Sequence, residues 1–185
     1  MKKLILLLLI ISGAKIASAQ YKPADQGSAL TFKIANFGFD VNGKLSGFQG
    51  NINFDPQNTG SSSFDVSIDA STVNTDNNLR DKHLKEDSYF DVKNYPRISF
   101  VSEKINAKNG GYTVNGKLTI KGKSKEISFP FTAEPADNGY VFKGSFKINR
   151  KDFGVGGTST IANELEVTLN VHAVKSVMKL ANESK

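Results

Sequence analysis

The chain is 185 residues long, has no cysteine, no tryptophan and 13 phenylalanines, and carries a formal charge of +6. Without cysteine it forms no disulfides or thiolate metal sites and takes no lipid anchor on a cysteine behind a leader. Lys2, Lys3 and Lys15 supply three of the six charges, so the chain beyond residue 19 carries only +3, too even a balance for the clustered basic face of a nucleic-acid binder.

Lys2 and Lys3 precede an unbroken apolar run, Leu4 to Ile11, and Ala17-Ser18-Ala19 follows it. This is the pattern of an export signal cleaved after Ala19. A membrane-spanning helix needs about 20 apolar residues, so the run is too short, and no second one is expected to hold the mature chain in a membrane. Export to the periplasm or the exterior is therefore expected. Residues 20–175 suit one domain with a full core, and 176–185 read as a short C-terminal tail.

The remaining signal is alternation of apolar and polar residues, which gives a strand one apolar and one wet face. Eight strands are expected, at about 28–37, 43–54, 62–70, 97–106, 112–121, 125–134, 140–149 and 163–174. Asn109-Gly110-Gly111, Lys121-Gly122-Lys123 and Asp137-Asn138-Gly139 supply the hairpin turns. Gly43, Gly47 and Gly50 in the second strand mark bends or bulges. Between the third and fourth strands, 76–90 reads as a short helix, with Asp76 as N-cap and Asp81 and Lys85 spaced for an ion pair.

Strands with a single apolar face bury it either by packing two sheets into a sandwich or by closing into a barrel. A barrel removes exposed edges, and eight strands leave an interior that side chains fill or that holds one small ligand. The inward set would be Phe32 and Ile34; Phe64, Val66 and Ile68; Phe100; Leu118 and Ile120; Phe129 and Phe131; Phe142 and Phe146; and Leu165, Val167 and Leu169.

Three motifs carry a family resemblance. The first is Thr75 followed by Arg80-Asp81-Lys82-His83-Leu84, then Phe90-Asp91 and Tyr95-Pro96-Arg97-Ile98-Ser99-Phe100. The second is Val114-Asn115-Gly116-Lys117-Leu118-Thr119-Ile120-Lys121-Gly122, and the third is Ile148-Asn149-Arg150-Lys151-Asp152-Phe153-Gly154. Together they resemble the YceI-like polyisoprenoid-binding family over nearly all of the mature chain. The resemblance implies an all-β, eight-stranded antiparallel, lipocalin-like barrel with a short helix between strands 3 and 4. It also implies a bacterial periplasmic or secreted protein that holds a long-chain isoprenoid lipid. No Gly-x-Ser-x-Gly motif, P-loop or dinucleotide fingerprint stands in the chain, so no enzyme and no cofactor are expected; a homodimer is compatible with the reading. Strands of about 33–40 Å, tilted by about 40°, would sheathe five or six isoprene units. An interior without room for a chain would contradict this. The family usually opens with Trp and carries a His in its first strand; Tyr21 and Asn36 stand here.

Asn36, Arg80, Asp81, His83, Arg150 and Asp152 are the candidate polar rim. His83 reads either as a head-group or acid–base group or as a tie between helix and strand. The Arg–Asp pairs read either as a seat for a phosphate head or as bridges that lock the helix and a loop. His172 falls on the wet face. Two rivals stay open: an enzyme acting on an apolar substrate through His83 and Asp81, and a packed β-sandwich interaction module.

Overall fold

The computed structural model describes residues 20–158 and 160–176; the expected leader, 1–19, and most of the expected tail lie outside them. The eight strands are β1 Gln20–Asn36, β2 Phe39–Asn53, β3 Ser63–Asn74, β4 Arg97–Lys108, β5 Gly111–Ile120, β6 Lys123–Ala136, β7 Gly139–Asn149 and β8 Ile161–Lys175. Each pairs antiparallel with the next, and β1 pairs with β8, closing an eight-stranded barrel. A two-sheet sandwich is thereby excluded.

The strands run longer than alternation alone predicts. β1 starts eight residues before its expected position because a register shift between Ala24 and Ala29 breaks its pairing with β8 and scrambles the alternation. His172 lies over this bulge, its ring against Gly27 and its backbone N–H donating to Ser28 Oγ at 2.9 Å. β2 shifts register against β3 between Lys44 and Gln49, where Gly47 has φ +76°. Gly43 lets the Phe32 ring cross it: a Cβ there would meet Phe32 Cζ at 2.2 Å.

One end of the barrel is plugged by aromatics. Phe54 is edge-on to Tyr112, Tyr140 and Phe142 at 5.1–5.2 Å, and Tyr21 is edge-on to Tyr140 at 5.4 Å. Burial of the Tyr21 phenol, with Tyr140 and Asp55 nearby, holds its pKa above the ordinary value.

The other end carries α1, Asn78–Lys85. Its cap is Asn77, whose side chain accepts from Arg80 N–H at 3.0 Å, rather than the expected Asp76, which sits in the left-handed region at φ +58°. The helix also stops at Lys85, short of the expected 90, because Glu86 turns extended. Phe90 N–H then returns to Leu84 O at 3.0 Å, and both side chains pack on the buried cluster of Leu45, Ile68 and Val73. The expected Asp81–Lys85 ion pair does not form among the described residues, because the Asp81 carboxylate turns back to Thr75.

Candidate functional site

Two cavities follow one another inside the barrel. The first, about 130 Å³, lies at the level of Leu30, Val66, Phe100, Leu118, Phe146 and Leu169. The second, about 100 Å³, lies one step nearer α1, at the level of Phe32, Ile34, Ile120, Ile148 and Leu165. The step from Leu118 to Ile120 along β5, and from Phe146 to Ile148 along β7, is one inward position on each strand. The walls of both cavities are almost wholly carbon.

Fourteen of the fifteen expected inward residues line one cavity or the other. The exception, Val167, is buried between them, opposite Phe32 and Phe146. Sequence reasoning missed Phe48 and Ile98 on the first cavity, and Val41, Leu84, Tyr89, Phe90, Phe153 and Val155 on the second. The register shift between Lys44 and Gln49 hides Phe48 from the alternation, and Val41 precedes the expected start of β2 at 43. The others come from non-strand segments or the first residues of a strand, where a period of two has no meaning.

The space is smaller than the expected sheath. Pockets for drug-sized ligands run to about 300–1,000 Å³, so neither cavity takes a long chain with its walls at rest. Phenylalanine is the reason: Phe129 stacks on Phe146 at 4.6 Å and meets Phe100 at 5.6 Å, so rings fill the lumen between the strands. Phe100 also crosses Gly116 and Phe129 lies against Gly144, so room for a chain requires these rings to change rotamer.

The six expected rim residues separate into two groups. Asn36, Arg80 and Arg150 border the second cavity together with Thr75. Asp81 lies behind Thr75, while His83 and Asp152 are exposed and border neither cavity. Arg80 Nε donates to Thr75 Oγ1 and Nη2 donates to Thr75 O, both at 2.7 Å. Thr75 in turn donates to Asp81 Oδ1 through its hydroxyl at 2.5 Å and its N–H at 2.9 Å. Thr75 is therefore the buried hub that ties α1 to β3, and no ionisation pattern in the sequence marks a neutral hydroxyl as such.

Arg150 is buried and bonded to backbone carbonyls: Nε to Ala162 O at 2.9 Å, Nη1 to Val155 O at 2.8 Å and Gly156 O at 2.7 Å, and Nη2 to Ile161 O at 2.9 Å. One planar fork thus pins both sides of the β7–β8 connection. Asn36 Oδ1 accepts from Thr160 Oγ1 at 3.0 Å on the same connection. Polar side chains at this end fasten α1 and the β7–β8 connection around an apolar hole. Outside it, on the bend of β3, the Asp69 carboxyl is held below the usual carboxylate range, first by its hydrogen bond from Ser71 and further by Arg97. Among the described residues, no group of three or more His, Asp and Glu side chains is placed to hold a metal.

A closed antiparallel barrel around a carbon-walled lumen, plugged by aromatics at one end and bordered by a helix at the other, belongs to the lipocalin-like class of barrels. Residues 21–173 match the model of the YceI-like domain, and the chain belongs to that family. It is 29% identical to a UPF0312 protein of Yersinia enterocolitica over 91% of this chain and 93% of that one. Among solved structures it resembles BcnA of Burkholderia cenocepacia, with a TM-score of 0.75 and 26% identity over 80% of this chain and 98% of that one. It also resembles the YCEI protein of Campylobacter jejuni, with a TM-score of 0.64 and 28% identity over 74% and 85%. A polyisoprenoid binding domain from Saccharophagus degradans shares the fold, with a TM-score of 0.65 at 14% identity over 84% and 98%.

Proposed function

We propose that this protein is an exported, non-enzymatic carrier of a long-chain isoprenoid lipid, of polyprenyl or isoprenoid-quinone type, held in the barrel lumen. The observation that carries this reading is the continuous carbon lining of two cavities in series along the barrel axis. Such a wall offers nothing to a polar solute, whereas each methylene it buries contributes about 0.8 kcal/mol. The family membership and the polyisoprenoid-binding neighbour support the choice of an isoprenoid. Lys2, Lys3, the run from Leu4 to Ile11 and Ala17-Ser18-Ala19 support export. The polar side chains that border the second cavity, Asn36, Thr75, Arg80 and Arg150, are bonded to neighbouring protein groups, which supports binding over chemistry, and no cofactor is part of the reading. Uptake of a long chain then requires the Phe100, Phe129 and Phe146 rings to move.

The test is a titration of delipidated protein with a long-chain polyprenol and with an isoprenoid quinone, followed by native mass spectrometry. Leu169→Trp fills the first cavity from β8. The protein should take up one chain and the variant none. Equal uptake by both would put the ligand elsewhere and remove the lumen from the account.

A further inference from the structure

Among the described residues, six large apolar side chains stand exposed, and four of them lie at the α1 end: Phe37 and Phe39 on the β1–β2 hairpin, Leu79 on α1, and Tyr95 beside Gly122 at the β5–β6 turn, across the barrel from that hairpin. Phe37 and Phe39 flank Gly38 at the tip of the β1–β2 hairpin and are 73% and 77% exposed. The turn has two central residues with positive φ, +50° at Phe37 and +82° at Gly38, between the paired Asn36 and Phe39. Turns of this kind favour Asn, Asp or Gly at the first position, and the β4–β5 hairpin of this chain obeys with Asn109-Gly110. The β1–β2 tip instead forces a bulky aromatic into the left-handed region, where such residues are outliers. It then leaves the ring in water. Both features act against the folded monomer, and local rules are broken in this way mostly at functional sites.

The surroundings indicate what covers the tip. The hairpin, α1 and the Arg150–Phe153 turn all border the second cavity, so the tip stands beside the end of the lumen opposite the aromatic plug. Lys82 and Lys85 on α1, Lys121 and Lys123 at the β5–β6 turn, and Lys151 share this end, and among the described residues none of them has a carboxylate within ion-pair distance. Asp40 beside Phe39, paired with Lys33 at 3.6 Å, and Asp76, Glu86, Asp87 and Asp152 share it too, so charge assists and the aromatic tip leads. Lys121 donates to Gly154 O at 3.2 Å and Lys151 to Gly156 O at 3.1 Å, which holds these two amines on the barrel end. Exposed aromatics on an end that also carries lysine charge fit a bilayer interface with anionic headgroups, where rings enter the acyl boundary and amines stay at the surface.

We propose that this end of the barrel docks on a membrane surface containing anionic lipid, with Phe37 and Phe39 as the inserting residues. Docking there would set the lumen against the bilayer from which an apolar chain is drawn. The inference extends the carrier reading, and its test needs no lumen ligand, so either can fail alone.

The test is flotation of the purified protein with phosphatidylethanolamine vesicles, with and without phosphatidylglycerol, beside the variant Phe37→Asn with Phe39→Ser. The protein should float with the phosphatidylglycerol vesicles and less with the others. The variant should lose at least about tenfold in partitioning, as expected when two phenyl rings are withdrawn from an apolar phase. Its melting temperature should not fall, since asparagine suits the left-handed position. Failure of the protein to float, or equal flotation of protein and variant, would overturn the proposal. So would an ultracentrifugal dimer that the variant abolishes without any vesicle binding, which would make a second copy the occupant.

Discussion

Emptying the lumen should cost the fold a calculable amount. A cavity lined by buried apolar side chains destabilises a protein by about 24 cal/mol per Å³. For the first cavity of about 130 Å³ that is about 3 kcal/mol. An apolar ligand that fills this cavity alone restores about that much, before any contribution from the second. In a domain of this size each kcal/mol moves the melting temperature by about 2–4 °C, so loaded protein should melt about 6–12 °C above delipidated protein. The comparison is made by calorimetry at fixed protein and lipid concentrations, because ligand excess itself raises the midpoint. A polyprenol of the same length should act like a quinone, since the lumen wall presents carbon to both. A shift under about 2 °C would refute the reasoning, for it would mean that the lumen stays closed by its own rings at no cost.

Three further outcomes follow from the same geometry. Arg150→Met should destabilise the barrel by at least about 3 kcal/mol, because the carbonyls of Val155, Ile161 and Ala162 lose this donor at roughly 1–3 kcal/mol each when left dry, with a matching drop in the denaturation midpoint. His83→Ala should leave both lipid occupancy and stability unchanged within about 0.5 kcal/mol, since the residue is exposed and borders neither cavity; loss of a turnover activity in that variant would instead favour an enzyme. The depressed carboxyl of Asp69 contributes stability that is present above its unfolded pKa of about 3.9 and is lost as pH falls through the lower folded value. Acid titration of stability should therefore show a step below about pH 4 that Asp69→Asn removes, and an unchanged acid limb would contradict the assignment.

Most of the barrel was legible because one inward face alternates along each strand: Leu118 and Ile120, Phe129 and Phe131, and Phe142 and Phe146 all face the lumen as their spacing requires. The turns at Asn109-Gly110 and Lys121-Gly122 were equally plain, since glycine supplies the left-handed backbone each one uses. What escaped has physical causes. The first eight residues of β1 lie across a bulge that shifts the face on which side chains fall. At the β1–β2 tip Gly38 takes the same left-handed backbone, but the aromatics Phe37 and Phe39 on either side read as strand and hid the turn. Asp76 and Asn77 are both capable caps, and only the backbone angle of Asp76 decides between them. At the rim, charge left the Arg–Asp pairs open between a phosphate seat and bridges, yet the Arg80 guanidinium donates to the hydroxyl and carbonyl of Thr75 and Arg150 donates to a ring of carbonyls. Charge patterns do not report bonds to the backbone.

The most direct measurement of the central claim is native mass spectrometry with organic extraction on protein exported by its own host. The account predicts one long isoprenoid chain per barrel, released on unfolding and absent from Leu169→Trp. A barrel that leaves its host empty, and then takes up neither polyprenol nor quinone, would contradict it.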